Sequence, residues 1–214
     1  MKTKVLLIAL TTTVFALGAK AQKTTFGVRG GINFVNINGK NVAGNELDNK
    51  IKAGFNLGVN AEIPVAPDFY VQPGVLFTTK GAKDKYYRKA NYRLSYIEIP
   101  INLLFKPELG DGKLLLGFGP YVAFAVGGTR TDDQGHKDDY VFQAKATQAE
   151  ALTNLYLKRM DFGGNLLAGY ELSSKLSFQL NAQLGMSNFR SKVEGGEKAK
   201  FKNTSFGVSV GYRF

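Results

Sequence analysis

The last ten residues alternate without a break. Phe206, Val208, Val210, Tyr212 and Phe214 share one face of an extended chain, and Ser205, Gly207, Ser209, Gly211 and Arg213 share the other. Successive side chains of a strand point to opposite sides, so this run predicts a strand with one apolar and one polar surface. The segment before it repeats the pattern: Leu176, Phe178, Leu180, Ala182, Leu184 and Met186 oppose Ser177, Gln179, Asn181, Gln183, Gly185 and Ser187. Both runs are long enough to cross a bilayer, which takes about 9–11 tilted residues. Strands of soluble domains are usually nearer 5–6. Six noisier runs lie upstream, from Phe26 to Phe34, Ile51 to Ile63, Phe69 to Phe77, Ile97 to Phe105, Leu114 to Phe124 and Met160 to Leu172. The eight together predict an all-β fold, an eight-stranded antiparallel up-and-down transmembrane β-barrel.

The connections separate a barrel from a soluble sandwich. Pro64 to Asp68, Pro107 to Gly112 and Ser173 to Lys175 are short links; Val35 to Lys50, Gly81 to Tyr92, Gly127 to Lys158 and Arg190 to Asn203 are long. Short and long alternate strictly, as periplasmic turns and extracellular loops do in bacterial barrels. Both termini are then periplasmic. Within the third long loop, Val141 to Leu157 carries apolar residues at near-helical spacing and is either a short helix or an extension of its flanking strands. Pro73, Pro100 and Pro120 fall in three consecutive strands, where each removes a ladder donor. Bulges or a shared kink would reconcile them with the sheet.

In hydrocarbon a sheet must close on itself to satisfy its backbone, and its apolar face must point outward. Eight strands leave an interior just wide enough for side chains, so a packed polar core is expected in place of a pore. Inward positions include Arg29, Glu62, Glu98, Lys106, Asp161, Glu171 and Arg213, both signs together. A lone charge is very costly to desolvate, so these residues predict a buried ion-pair network. Arg29 is the expected partner of Glu98.

Residues 1–21 read as a cleaved signal peptide. Lys2 and Lys4 precede the apolar run Val5 to Leu17, and Ala19-Lys20-Ala21 supplies a small-x-small cleavage pattern. The mature barrel domain would span 22–214. Losing Lys2, Lys4 and Lys20 lowers the formal charge from +11 to +8. For an exported basic chain the natural partners are anionic head groups and not nucleic acid. There is no Cys, hence no disulfide, thiolate nucleophile or Cys-based metal site.

Chemistry-bearing residues are sparse. The single His136 lies in the third loop near Asp132, Asp133, Asp138 and Asp139, without a nucleophile motif. A solvated loop tip is the expectation, and the four acids lack the ligand spacing of a recognised Ca²⁺ loop. No cofactor, catalytic or metal residue is assigned. The second loop sets Lys80, Lys83, Lys85, Arg88, Lys89 and Arg93 among Tyr86, Tyr87 and Tyr92. Basic residues mixed with interface-favouring tyrosines predict contact with lipopolysaccharide head groups. Phe214, with Tyr212 two residues earlier, resembles the signal read by the barrel-assembly machinery.

The stretches Gly27-Val28-Arg29-Gly30-Gly31-Ile32-Asn33-Phe34, Gln72-Pro73-Gly74-Val75-Leu76-Phe77, Tyr96-Ile97-Glu98-Ile99-Pro100-Ile101 and Gly117-Phe118-Gly119-Pro120-Tyr121-Val122 are similar to the PorT-like outer-membrane β-barrel family. The resemblance covers the mature chain, with Glu-Ile-Pro and Gly-Pro-Tyr its most specific elements. It implies an eight-stranded barrel and no catalytic residues; the family is named for a member associated with protein secretion. The expectation is a non-enzymatic barrel of the Gram-negative outer membrane, structural or binding a protein partner through its extracellular loops. Its rivals are an outer-membrane enzyme acting on lipid or peptide, a secreted soluble barrel holding a hydrophobic ligand, and a narrow channel.

Overall fold

The computed structural model of the chain describes residues 23–41, 43–85, 90–153, 155–194 and 199–214. The expected signal segment lies outside them. Eight long strands form the wall: β1 Thr25–Lys40, β2 Lys52–Ala66, β3 Phe69–Asp84, β4 Asn91–Phe105, β5 Gly112–Thr131, β6 Met160–Glu171, β7 Leu176–Gly185 and β8 Lys200–Arg213. Each pairs antiparallel with its successor. The last pairs with the first, from Gly27 opposite Arg213 to Lys40 opposite Lys200, and the barrel is closed. The N–H of Phe214 completes the seam by donating to the Phe26 carbonyl at 2.9 Å.

The short turns follow from residues that accept a left-handed backbone. Asp68 (φ 61°), Gly110 (φ 60°) and Lys175 (φ 67°) each sit in one of the three. Asp and Gly tolerate that region readily; Lys175 is held there while its N–H donates to the Leu172 carbonyl at 2.9 Å.

The outer face is apolar. Phe26, Ile32, Leu57, Phe118, Leu166, Leu184 and Phe206 are all at least half exposed. Opposite them, Asn33, Asn56, Asn102, Asn165, Gln179, Gln183 and Ser209 are buried inside. A soluble barrel with an apolar lumen would show the reverse, so that rival fails. Midway down the barrel the void between Arg29, Asn56, Glu98 and Asn181 holds about 20 Å³, room for little more than one water.

The strands outrun the expected spans. β1, β3 and β5 continue well into what the alternation marked as loop, and along these extensions the amphipathic sense inverts. On β1, Phe34 faces out and is half exposed, whereas Val35 and Ile37 face in and are buried between the outward Asn36 and Asn38. On β4, Leu94 and Tyr96 are buried inward while Arg93 is exposed. On β8, Lys200 and Lys202 face out, with Phe201 turned in. Above the lipid the wall stands in water, so apolar side chains gain by turning into the lumen. The polar interior expected from the sequence is therefore found in part only: at membrane depth it is mainly polar, with a small apolar cluster of Leu104, Leu115 and Leu167, and in the extracellular head it is apolar. That head core contains Ile37, Leu94, Tyr96, Tyr121, Leu157 and Phe189.

β6 and β7 are the shortest staves, with 12 and 10 residues. The third loop builds up the head by adding Lys137–Phe142 beside the end of β5, then Leu155–Leu157 parallel to it. The near-helical stretch contains only one short helix, Gln148–Thr153, capped by Thr147 and Glu150, whose carboxylate accepts from the Thr147 N–H at 2.8 Å. Of the other described residues of that stretch, Val141, Phe142 and Leu155–Leu157 extend the sheet, and Lys145–Ala146 pairs with Lys192–Val193 in a separate two-stranded sheet.

Pro73, Pro100 and Pro120 carry no bulge. Ladder pairs are absent between Asn60–Gly74 and Ile63–Val71, between Leu76–Glu98 and Pro73–Ile101, and between Pro100–Tyr121 and Leu103–Phe118, yet the register on either side of each gap is the same. Each proline opens a two-pair gap toward the preceding strand and stays paired to the following one. Register shifts occur elsewhere, between Pro64 and Ala66 and between Ser95 and Tyr96.

Candidate functional site

Inside the barrel the charges collect at two levels. At the periplasmic end, Lys106 Nζ lies 2.9 Å from Glu62 and 2.8 Å from Glu171. Arg213 pairs with the same Glu62 and donates to Asn60 Oδ1 at 2.7 Å. Strand parity turns all four inward near strand ends, so one cluster ties together β2, β6, β8 and the residue following β4. An amide chain continues upward: Gln72 donates to Glu62, Asn102 to Gln72 and Asn165 to Asn102, at 3.3, 3.2 and 2.8 Å.

The second level lies beneath the head. Lys80 Nζ stands 2.9 Å from Glu98 and 3.8 Å from Asp161, and all three side chains are buried. The ammonium lies 4.2 Å from the centre of the Tyr121 ring and 5.6 Å from that of Tyr96. Asn203 donates to Asp161 at 2.9 Å, and Ser187 and Tyr121 hydroxyls also donate to it. Gln183 donates to the other oxygen of Glu98. With Arg29 included, the two levels hold four cations and four anions, so the plug is neutral.

Two expectations are corrected here. The ionic partner of Glu98 is Lys80, not Arg29, whose guanidinium donates to Asn181 at 3.2 Å and faces Glu98 only across the small void. Lys80 is therefore not a head-group contact. It follows Gln72, Gly74, Leu76 and Thr78 on the inward parity of β3, and β3 runs past it to Asp84. The alternation in sequence loses contrast at Thr78-Thr79-Lys80, which hid its direction.

Of the remaining basic-loop residues, Lys83 and Arg93 are exposed on the outer wall, and Lys85 meets Asp48 at 2.8 Å. Arg88 and Lys89 lie outside the described residues. The sequence reading missed further exposed lysines on the head, among them Lys40 and Lys200, opposite each other in register, and Lys202. Their signal was present as polar outward positions beyond Phe34 and before Phe206. Tyr212 and Phe214 sit exposed on the periplasmic rim, ring edge to face at 5.5 Å.

His136 is exposed, its Nδ1 3.3 Å from Asp132. The other Asp132 oxygen accepts from the N–H groups of His136 and Gln134, at 2.9 and 3.0 Å. Although desolvation pushes the other way, these backbone N–H groups hold the Asp132 carboxyl below its ordinary value. The pair fastens a hairpin turn. Among the described residues no three His, Asp or Glu side chains are grouped to hold a metal ion. The head encloses a cavity of about 760 Å³, reaching from the apolar core to the rim formed by the first loop.

A family model described as outer membrane protein beta-barrel domain matches residues 20–191. No curated protein matches the sequence. Among solved structures, the chain is similar to Ail, the attachment invasion locus protein of Yersinia pestis, at 14% identity and a TM-score of 0.46, covering 90% of this chain and 100% of that one. It is also similar to Neisserial surface protein A, at 11% identity and 0.48, with the same coverage. OprG from Pseudomonas aeruginosa matches at 15% identity and 0.43, covering 92% of this chain and 98% of that one.

Proposed function

Since the chain belongs to the outer membrane protein beta-barrel domain family and is an integral barrel of the bacterial outer membrane, we propose that it works as a non-enzymatic docking protein whose raised extracellular head engages a protein partner. The observation that carries this reading is the contrast between lumen and head. The membrane-depth interior is filled by paired charges, amides and a few leucines around a void of about 20 Å³. The head, by contrast, is a folded extension of β1, β3, β4, β5 and β8 with its own apolar core. A filled lumen transports poorly, whereas a stiff, solvated platform presents loops well. The decisive experiment is crosslinking and pull-down from native outer membranes, comparing the intact chain with one in which residues 132–158 are replaced by a short turn. Loss of the same captured protein on loop replacement supports docking; capture that ignores the head opposes it.

The enzyme reading has His136 as its only candidate, and that side chain is spent on a turn. Replacing it with Ala should leave the lipid A profile of the membrane unchanged. The finer affiliation to PorT-like barrels rests on Glu98-Ile99-Pro100 and Gly119-Pro120-Tyr121, and a secretion-associated role follows from it. Deleting the protein and comparing secreted proteins tests that role.

Export by a signal ending at Ala21 completes the reading, checked by finding Gln22 at the mature N-terminus by mass spectrometry. Insertion through the barrel-assembly machinery, guided by Tyr212 and Phe214, would be slowed by deleting Phe214. For lipopolysaccharide, Lys83, Arg93, Lys200 and Lys202 are the exposed cations best placed to meet head-group phosphates, and Lys85, Arg88 and Lys89 belong to the same loop. Neutralising the four exposed ones should weaken lipopolysaccharide retention in a salt-sensitive way.

A further inference from the structure

The head cavity is built like a ligand site. At about 760 Å³ it lies in the size range of small-molecule pockets. Its depth is apolar, formed by Ile37, Leu94, Leu157, Phe189 and Phe201. It cannot drain through the barrel, because the Lys80, Glu98 and Asp161 cluster lies beneath it with all three side chains buried.

One cation on its wall forms no ion pair among the described residues. Arg130 lines the cavity opposite Tyr92 in register, and its Nε is buried without a hydrogen-bond partner. Asp138 faces Arg130 across the hairpin and Asp84 lines the same cavity, yet neither forms an ion pair with it among the described residues. Other rim carboxylates are engaged: Glu46 lies 3.6 Å from Lys40 and Asp48 lies 2.8 Å from Lys85. A buried donor left unsatisfied costs free energy that an acceptor would recover.

From this geometry we infer that the head binds a small amphipathic carboxylate, its apolar body against Leu94, Leu157 and Phe189 and its carboxylate on the Arg130 guanidinium. The planar guanidinium fork suits that head group and gives it an advantage over a neutral or cationic one on the same body. This site does not depend on the docking role. A barrel that captures no protein would still bind the carboxylate, and the converse also holds.

The test uses the full mature barrel in lipid nanodiscs, titrated calorimetrically with 4-biphenylcarboxylate, 4-biphenylmethanol and 4-biphenylmethylammonium, with empty nanodiscs subtracted. Saturable binding of one carboxylate per barrel is expected, about tenfold tighter than the alcohol, with the ammonium weakest. Arg130→Gln should remove the advantage of the carboxylate and leave alcohol binding unchanged. Equal affinity for carboxylate and alcohol, a preference for the ammonium, or no saturable carboxylate binding would each overturn the site. So would an Arg130→Gln barrel that still prefers the carboxylate. The head-group comparison on the unaltered chain decides the matter even if the variant does not assemble.

Discussion

At the residue scale the most consequential side chain is Lys80. It is the only ammonium within reach of both Glu98 and Asp161 among the described residues, at 2.9 and 3.8 Å. Removing one member of a buried ionic group leaves the others desolvated and unpaired, at a cost of roughly 3–5 kcal/mol. Lys80→Met should therefore lower the unfolding free energy of the purified barrel, read from urea titration, by that amount, whereas Lys83→Met, exposed on the same strand, should leave it nearly unchanged. Equal effects would mean that the buried cluster contributes no stability. Gly119 makes a second residue-level case. A Cβ there would fall 1.9 Å from the Ile101 carbonyl oxygen of the neighbouring strand. Backbone cannot yield as a flexible side chain can, so Gly119→Ala should separate β4 from β5 and reduce the heat-modifiable folded band on gels.

At the element scale the prolines decide what the strands tolerate. Register is conserved across all three gaps, so it is set by the pairs on either side and not by the prolines. Pro100→Ala should leave the pairing of Pro73 with Ile101 and Leu76 with Glu98 intact and change stability by no more than about 1 kcal/mol. A slipped register, read from cross-strand disulfides placed at those pairs, would refute this. The strands themselves were legible because lipid outside and amides inside impose strict alternation; Phe206 to Phe214 is the clearest instance. Their upper ends were not, because water replaces lipid there and the alternation changes sense at Phe34-Val35. A scan for apolar-outward residues then reads the continuing strand as loop. The candidate site was half legible. Arg29, Glu98 and Asp161 are inward by parity, whereas Lys80 follows two threonines that carry no facing signal. Arg130 lies beyond the shift between Ser95 and Tyr96, which reverses parity on β5 relative to its partner.

At the scale of the whole molecule, the two neutral levels of charge and the amide chain between them close the lumen. Reconstituted in planar bilayers, the barrel should show no steady conductance above the bare membrane; a reproducible ohmic step would mean that the plug moves. The inversion of facing has a further consequence for how the protein sits in its membrane. Outward apolar residues give way to Asn36, Asn38 and Lys202 within one or two positions, so raising or sinking the barrel by a single residue pair either bares Phe34 and Phe206 to solvent or drags polar groups into acyl chains. Immersion is fixed from within, and a thicker bilayer must thin around the protein because the protein has no alternative height to adopt.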